Sequence, residues 1–300
     1  MKNFLGINNV KKDIMNLSSF FKWLLVLSTI AIVVFNFVSV KNVYETVFLP
    51  LQQYHKVLDK GSQFGKTQSA AITIAILYSL NGLAAFTGVI AIIMISQNKV
   101  SQYFWGAINF FFFGLFALSV GYVGDFFMNF IRFFGAPIGW YLFEKKGYGK
   151  RQAKKEGWKY NLIFYSILLV LSFIITMFWY WALPNASTDL FGKTNNQYLL
   201  RTPDVNGKNL QILDGVANGL NTVGYVMQLI NLSQQFYVWL WMDIVKVLKF
   251  SGLAGKATLN INMLIQFSIW VFMCFVGIYK RSLEPIYKPK IDLWKASLKK

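Results

Sequence analysis

The sequence predicts an all-α polytopic membrane protein with eight transmembrane helices. Of its 300 residues, 55% are apolar, 18% are aromatic and only 14% are charged, and the mean hydropathy is +0.43. These values are too hydrophobic for an ordinary soluble domain. Apolar stretches of about twenty residues, the length that a helix needs to cross a bilayer, recur along the whole chain.

The apolar stretches fall into two groups of three, because the connections within each group are short and make neighbouring helices antiparallel. The predicted spans are 20–40, 70–96, 102–120, 121–144, 160–183, 210–232, 235–251 and 257–279. The corresponding parts are an N-terminal helix and outer loop (1–66), a first three-helix bundle (67–145), a basic loop with a linker helix and outer loop (146–209), a second three-helix bundle (210–280) and a basic tail (281–300).

Two of the predicted connections have features of their own. The segment 43–66 has mixed charge and allows an interfacial helix. The segment 184–209 is predicted to be a polar outer loop, and its Asn185-Ala186-Ser187 fits a glycosylation sequon. Pro137, inside the fourth span, is a candidate pivot for motion of the first bundle.

The net charge of +18 reflects lysines placed between the spans and at the C-terminus. Eight spans put both termini on one side, and that side then carries nineteen of the thirty basic residues. The positive-inside rule predicts cytoplasmic termini in the plasma membrane. The charge therefore indicates a lipid bilayer as partner and no nucleic acid.

Redox, metal and enzymatic chemistry are not indicated. Cys274 and His55 are the only residues of their types, so the chain has neither a disulfide framework nor a typical zinc site. It also has no paired catalytic carboxylates and no Ser/His/Asp set. We therefore expect no cofactor, no metal and no enzyme activity.

The two predicted bundles share short sequence fragments, which indicates a parallel internal repeat. The matched fragments are Asn81-Gly82-Leu83 with Asn218-Gly219-Leu220 at a separation of 137, Trp105 and Asn109 with Trp239 and Asp243 at 134, and Gly121, Gly124 and Asn129 with Gly252, Gly255 and Asn260 at 131. One further span separates the bundles, so the predicted layout is one N-terminal helix followed by a three-one-three arrangement.

This arrangement is similar to the SWEET-type architecture, and the motifs resemble the PnuC family of bacterial vitamin transporters. The motifs are Gly106-x-x-Asn109, Gly121-x-x-Gly124-Asp125 with Asn129, and Gln234, Trp239 and Asp243. The resemblance implies facilitated diffusion of a vitamin, typically nicotinamide riboside, through a central site in a homotrimer. Relatives move thiamine or riboflavin. The chain has Gln234 and Asp243 where the family usually has Glu and Asn, and Arg132 where an aromatic residue is common.

Polar residues near the middle of the predicted spans are the candidate substrate-binding groups, since such transporters bind substrate near mid-membrane. The candidates are Trp105, Asn109, Asn129, Arg132, Asn221, Gln228, Trp239, Asp243 and Gln266. Amides suit a heterocycle and ribose hydroxyls, and a tryptophan plane can stack on a ring. Packing between helices explains the same amides equally well, and is favoured for Asn81 and Asn218.

Asp243 and Arg132 each need a partner, because a charge at the bilayer centre costs about 2.5 to 3.5 kcal/mol. We expect the two to pair, directly or through the substrate. Lys246 and Lys249 are expected to reach the outer headgroups. The alternatives are transport of thiamine, riboflavin or nucleosides by the same fold, sugar transport of the SWEET type, and a non-transporting membrane receptor or scaffold.

Overall fold

A computed structural model describes residues 3–42, 45–150, 157–202, 205–252 and 259–297 of the chain. The α-helices are α1 (Val10–Met15), α2 (Ser19–Phe37), α3 (Leu49–Lys60), α4 (Gln68–Ser96), α5 (Gln102–Ser119), α6 (Val123–Trp140), α7 (Trp158–Phe191), α8 (Gly207–Leu229), α9 (Gln235–Phe250), α10 (Ile261–Gly277) and α11 (Glu284–Ser297). Two short antiparallel hairpins pair β1 (Val38–Asn42) with β2 (Glu45–Phe48) and β3 (Arg201–Thr202) with β4 (Val205–Asn206). The prediction of a helical polytopic membrane protein is confirmed.

Five helical segments of the described chain are long and apolar enough to cross a membrane. They are Ser19–Phe37, Gln68–Ser96, Gln102–Ser119, Trp158–Phe191 and Ile261–Pro289. More than half of the side chains of α2 and α7 are exposed, and most of those exposed are apolar, as expected for helices that face lipid. The less apolar helices α6, α8 and α9 hold the buried charges described below.

Polar side chains fix where several of the long helices begin. Thr67 Oγ1 accepts a hydrogen bond from the Ala70 amide at 3.1 Å, Asn206 Oδ1 from the Asn209 amide at 3.3 Å, and Asn260 Oδ1 from the Met263 amide at 3.0 Å. These N-caps satisfy amides that have no partner inside the helix. They set the starts of α4, α8 and α10.

Neighbouring helices pack in sequence, α4 with α5 and α5 with α6, then α8 with α9 and α9 with α10. Contacts of α4 with α10 and of α6 with α8 join these two groups, while α7 packs on α8 and α2 on α4. The polar residues considered below lie at this junction.

The connections α4–α5 and α8–α9 have the same backbone. Asn98 and Asn231 adopt φ of +55° and +56°, and the amides of Lys99 and Leu232 bond to Met94 O and Met227 O, each at 2.9 Å. Equivalent residues are therefore 133 apart. At this separation Trp239 corresponds to Gly106, so the proposed match with Trp105 is wrong by one residue.

The ends of α6 and α10 are also alike, at a separation of 138. A Cβ on Gly139 would lie 2.4 Å from the Tyr103 ring, and a Cβ on Gly277 would lie 2.5 Å from the Phe236 ring. A π-helical turn follows each helix, Tyr141–Lys145 and Ile278–Leu283.

The asparagines of the other two fragment matches do not fit these separations either. The match of Asn129 with Asn260 is wrong, because Asn129 lies inside α6 while Asn260 caps α10. Asn81 and Asn218, matched at 137, are displaced by about one helical turn from a separation of 133. Gly255, used in the third match, lies outside the described residues.

Helix α7 extends beyond the predicted span, and the polar loop begins later than expected. Pro184 lies inside α7, and its carbonyl accepts from Thr188 Oγ1 at 2.9 Å and from Asn196 Nδ2 at 2.7 Å. Asn185 is helical and donates to Trp181 O at 3.2 Å. The sequon therefore lies in a helix rather than in a loop. The segment 43–66 contains a helix, α3, and its place at the membrane interface stays a prediction.

Candidate substrate site

One face of α9 is buried in the protein interior. Trp239, Asp243 and Lys246 follow helical spacing, and their exposed fractions are 0%, 0% and 1%, whereas Trp241 is 65% exposed. The predicted common face of Trp239 and Asp243 is therefore present. It points toward α6, α8 and α10 rather than toward lipid.

The Asp243 carboxylate has only one hydrogen-bond partner among the described residues. Its Oδ2 accepts from Cys274 Sγ at 3.3 Å, and its Oδ1 has no partner. Neither amide atom of fully buried Gln266 has one either. Buried polar atoms normally have partners, so these atoms can bind a solute that enters the interior.

Gln266 and Asn109 meet at Gly88 of α4. A Cβ on Gly88 would lie 2.5 Å from Gln266 Nε2 and 2.7 Å from Asn109 Nδ2, so a larger residue would displace both amides. The Asn109 amide donates to Ala84 O at 2.7 Å, and Trp270 Nε1 donates to Gly88 O at 3.0 Å. The glycine brings α4, α5 and α10 together around these groups.

Arg132 is buried, with 3% exposed, and its guanidinium lies on aromatic rings. Its Cζ is 3.9 Å from the Phe110 ring centroid, 5.3 Å from Tyr225 and 5.9 Å from Trp239. Such cation–π contacts stabilise a desolvated guanidinium by about 2 kcal/mol. Its Nε and Nη2 have no hydrogen-bond partner in the part of the chain that the structure describes.

Arg132 and Asp243 interact electrostatically, but they do not form a direct ion pair within 4.0 Å. Direct pairing, one form of the sequence hypothesis, is therefore absent from this conformation. Pairing through a substrate remains a prediction. Trp239 packs against Gly224 of α8 with its ring 5.9 Å from the Arg132 guanidinium, and its Nε1 has no partner among the described groups.

The remaining predicted site residues are placed differently. Trp105 is half-buried and packs edge-on against Phe86 and Phe104. The Asn129 amide donates to Asp125 O at 2.7 Å within its own helix, and its Oδ1 has no described partner. Asn221 and Gln228 are buried in α8, each with a side-chain oxygen for which the described chain offers no partner.

Asn81 bonds to a neighbouring helix, as the packing explanation predicts, whereas Asn218 bonds within its own helix, and the Oδ1 atom of each has no partner among the described residues. The Asn81 amide donates to Asn260 Oδ1 at 2.9 Å, and the Asn218 amide donates to Asp214 O at 2.9 Å.

A buried charge cluster, formed by Asp125, Asp214, Lys246 and Lys249, was missed by the sequence analysis. Lys246 bonds to Asp125, and Lys249 bonds to Asp125 at 2.8 Å and also to Asp214. All four side chains are at most 1% exposed. The expectation that both lysines reach headgroups is wrong, because the helix turns them toward α6 and α8, where carboxylates are available.

Two tyrosines complete the cluster. Tyr198, in the loop after α7, donates its hydroxyl to Asp214 Oδ2 at 2.8 Å. Burial and the Asp214 carboxylate raise the pKa of Tyr198 well above its usual value, so the phenol remains a donor. Lys249 Nζ lies 3.7 Å from the Tyr122 ring centroid. The i, i+3 spacing of the two lysines with Asp243 was the available signal in the sequence.

A polar cavity of about 310 Å³ lies outside the charge cluster, beneath α3. It is lined by Gln53, Lys56, Val57, Lys60, Gly61, Ser62, Gln63, Ile74, Ser119, Val120, Thr194, Gln197 and Leu200. A smaller cavity shares Gln53 and Lys56 and is bounded by Tyr78, Phe116, Tyr122 and Phe250. Desolvation and the charge of Lys60 lower the pKa of Lys56. Aromatic rings thus separate the outer cavity from the buried charges.

Apolar helices packed around buried polar groups without intramolecular partners are typical of a multi-pass membrane transport protein. The family model described as nicotinamide mononucleotide transporter matches residues 78–281, and the chain belongs to this family. This confirms the resemblance seen in the motifs. Helices α2 and α3 precede the matched region.

The crystal structure of the vitamin B3 transporter PnuC is similar at 16% identity and a TM-score of 0.48, covering 76% of this chain and 94% of that chain. Comparison with curated protein sequences gives no match.

Proposed function

We propose that the protein is a facilitated-diffusion transporter of nicotinamide riboside, with its substrate site among Asp243, Trp239, Gln266, Asn109 and Arg132. The observation that supports this proposal is the set of buried polar atoms at the junction of the two helix groups that have no partner among the described residues. Membrane transporters built from repeats bind their substrates in such a layer.

We also infer the topology and assembly that this function needs. Helices α2 and α4–α10 each cross the plasma membrane, as one N-terminal helix and a three-one-three arrangement, with both termini cytoplasmic. The basic residues between the spans support this orientation. A homotrimer is proposed from the family resemblance.

The chemistry of nicotinamide riboside matches the groups available at this site. Its pyridinium ring is cationic, and Asp243 offers a carboxylate oxygen without a described partner. Trp239 presents an aromatic plane for a cationic ring. Gln266 offers both a donor and an acceptor to the carboxamide, and Asn109 offers an amide oxygen to the ribose hydroxyls.

The direct test is a ligand panel on the purified protein. Nicotinamide riboside should raise the unfolding midpoint, because a ligand stabilises the state that it binds. Thiamine, riboflavin, neutral nucleosides and sugars should raise it less. Uptake of the same compound into proteoliposomes then separates a transporter from a receptor. Stabilisation by a sugar or riboflavin alone would contradict the assignment.

Asp243→Asn should weaken nicotinamide riboside binding by roughly 10- to 150-fold, because the carboxylate would no longer attract the cationic ring or accept a charge-assisted hydrogen bond from a substrate hydroxyl or carboxamide N–H, which contributes about 1.5 to 3 kcal/mol. The amide keeps the shape of the side chain and removes its charge. Isothermal titration measures the change. Asp189→Asn, an exposed substitution on α7, should leave affinity unchanged. Equal affinities of the wild type and Asp243→Asn for nicotinamide riboside would show that the Asp243 carboxylate does not bind the substrate.

Gly224→Ala should displace Trp239. A Cβ at Gly224 would lie 2.3 Å from Trp239 Nε1, closer than atoms can approach, so the ring must move. We expect a loss of about 1 to 3 kcal/mol in stability from overpacking and at least a tenfold loss in ligand affinity. Gly106→Ala is the control, since its Cβ would meet Phe110 at an ordinary 3.4 Å. Thermal unfolding with and without ligand compares the two variants.

Nicotinamide mononucleotide is a second candidate substrate. It adds a phosphate to the riboside, and the buried Arg132 guanidinium, two of whose nitrogens have no partner among the described residues, suits a phosphate. The description of the matched family model names the same compound. Arg132 should strengthen the binding of the mononucleotide, which carries a phosphate, and should not strengthen the binding of the cationic riboside.

A further inference from the structure

Arg281 lies at the end of the helical bundle where the connections α4–α5 and α8–α9 are found. This end is here called the inner end. The side chain is 8% exposed, and its Nη2 donates to Asn231 Oδ1 at 2.9 Å. Its Nη1 has no partner, and none of the described carboxylates lies within 4.0 Å. Burying a charge without a counter-charge is costly, so this guanidinium needs an anion.

Equivalent residues of the two helix groups flank Arg281. Tyr103 on α5 lies close enough to interact electrostatically with the guanidinium, and Phe236 on α9 has its ring centroid 6.0 Å from Arg281 Cζ. Tyr103 corresponds to Phe236 at the separation of 133. Arg281 is therefore placed between the two halves of the protein, where an occupant would contact both.

Several donors at this end also have no described partner. Tyr103 is 3% exposed and Ser282 is 7% exposed, and the hydroxyl of each is buried without a described partner. Gln102 and Gln235, equivalent residues one position before Tyr103 and Phe236, are 1% and 0% exposed with unpartnered amide nitrogens. Unsatisfied buried donors around an unpaired arginine are rare in folded proteins.

We propose that the inner end is a binding site for a phosphate group, held by Arg281 and Tyr103, with Ser282 and the two glutamines as further donors at the same end of the bundle. A phosphate has several acceptor oxygens and two negative charges, which suits a donor-rich site with no described carboxylate within 4.0 Å of Arg281 better than a neutral solute does. The phosphate belongs to a free phosphate, a phosphate monoester or a lipid headgroup. The inference does not depend on the substrate of the central site.

The inner site and the central site are separate. Along α5, Gln102 and Asn109 are seven residues apart, about 10 Å at 1.5 Å per residue. An anion at the inner end would join Arg281 and Tyr103 across the two helix groups. It would therefore stabilise the conformation in which this end is closed.

The test is thermal unfolding of the purified full chain with increasing inorganic phosphate, against sodium chloride of the same ionic strength. We expect a saturable rise of the midpoint for the wild type with phosphate only. Arg281→Gln should raise the half-saturating concentration at least tenfold. Lys280→Gln removes the same charge from the exposed neighbouring residue and should respond like the wild type.

Tyr103→Phe covers the case in which Arg281→Gln does not fold. It keeps the ring that packs on Gly139 and removes only the hydroxyl, so we expect a three- to tenfold rise in half-saturating phosphate. Coincident saturation curves for the wild type, Arg281→Gln and Tyr103→Phe would overturn the proposal.

A second measurement identifies the source of the phosphate. If a lipid headgroup already fills the site, added phosphate has no effect, and native mass spectrometry of the wild type shows a retained phospholipid that Tyr103→Phe or Arg281→Gln loses. This result supports the site and assigns it to lipid. No phosphate response together with no variant-dependent lipid would show that the site binds no phosphate.

Discussion

Replacing Lys249 by methionine is expected to lower the free energy of unfolding by about 3 to 5 kcal/mol, the usual effect of removing one partner from a buried ion pair. Lys249 is fully buried and bonds to Asp125 and to Asp214. Methionine has a similar length and fills the space, so the loss reports the charge. Unfolding of the purified protein in mixed micelles measures it.

Two controls separate this effect from an unspecific loss. Lys288→Met breaks an exposed pair with Glu284 and should leave stability unchanged. Adding Asp214→Asn to Lys249→Met removes the carboxylate left without its lysine and should recover part of the stability. A Lys249→Met protein as stable as the wild type would mean that water or ions reach the cluster.

The charge cluster could not be predicted from the sequence, although the shared face of Trp239 and Asp243 could. The i, i+4 spacing was enough to predict that Trp239 and Asp243 share a face, because both residues lie in one helix. The partners of Lys246 and Lys249 are 121 and 35 residues away in sequence, so they depend on how α6 and α8 rotate against α9. The two lysines are equally compatible with headgroups and with carboxylates until that rotation is known.

The predicted end of α7 and the predicted register of the repeat were wrong because both depend on backbone geometry that the sequence patterns do not give. Hydropathy predicts where a helix leaves the lipid rather than where the helix ends. The predicted span therefore stopped at Leu183, whereas α7 continues through Pro184 to Phe191. Letter matches between the bundles gave several separations, whereas the shared left-handed turns at Asn98 and Asn231 give 133. Backbone geometry defined the register that short fragments could not.

Arg132→Gln is expected to change the affinities for the two candidate substrates in opposite directions. Nicotinamide mononucleotide should bind roughly 10- to 150-fold more weakly, because charge-assisted hydrogen bonds to its phosphate, each of about 1.5 to 3 kcal/mol, are lost. Nicotinamide riboside is a cation, so removing a nearby positive charge should leave its affinity unchanged or raise it. Titration of both compounds into wild type and variant measures the two changes.

The opposite signs distinguish recognition from packing. Arg132 rests on Phe110, so its loss also reduces stability, but a merely structural role would weaken both ligands together. Arg132→Lys keeps the charge and removes the planar fork, and should cost the phosphate compound an intermediate amount. Lys208→Gln, at an exposed position on α8, should change neither affinity. If the wild type does not bind the mononucleotide, the riboside is the remaining candidate substrate. The test of Arg132 is then whether Arg132→Gln leaves the affinity for the riboside unchanged or raises it.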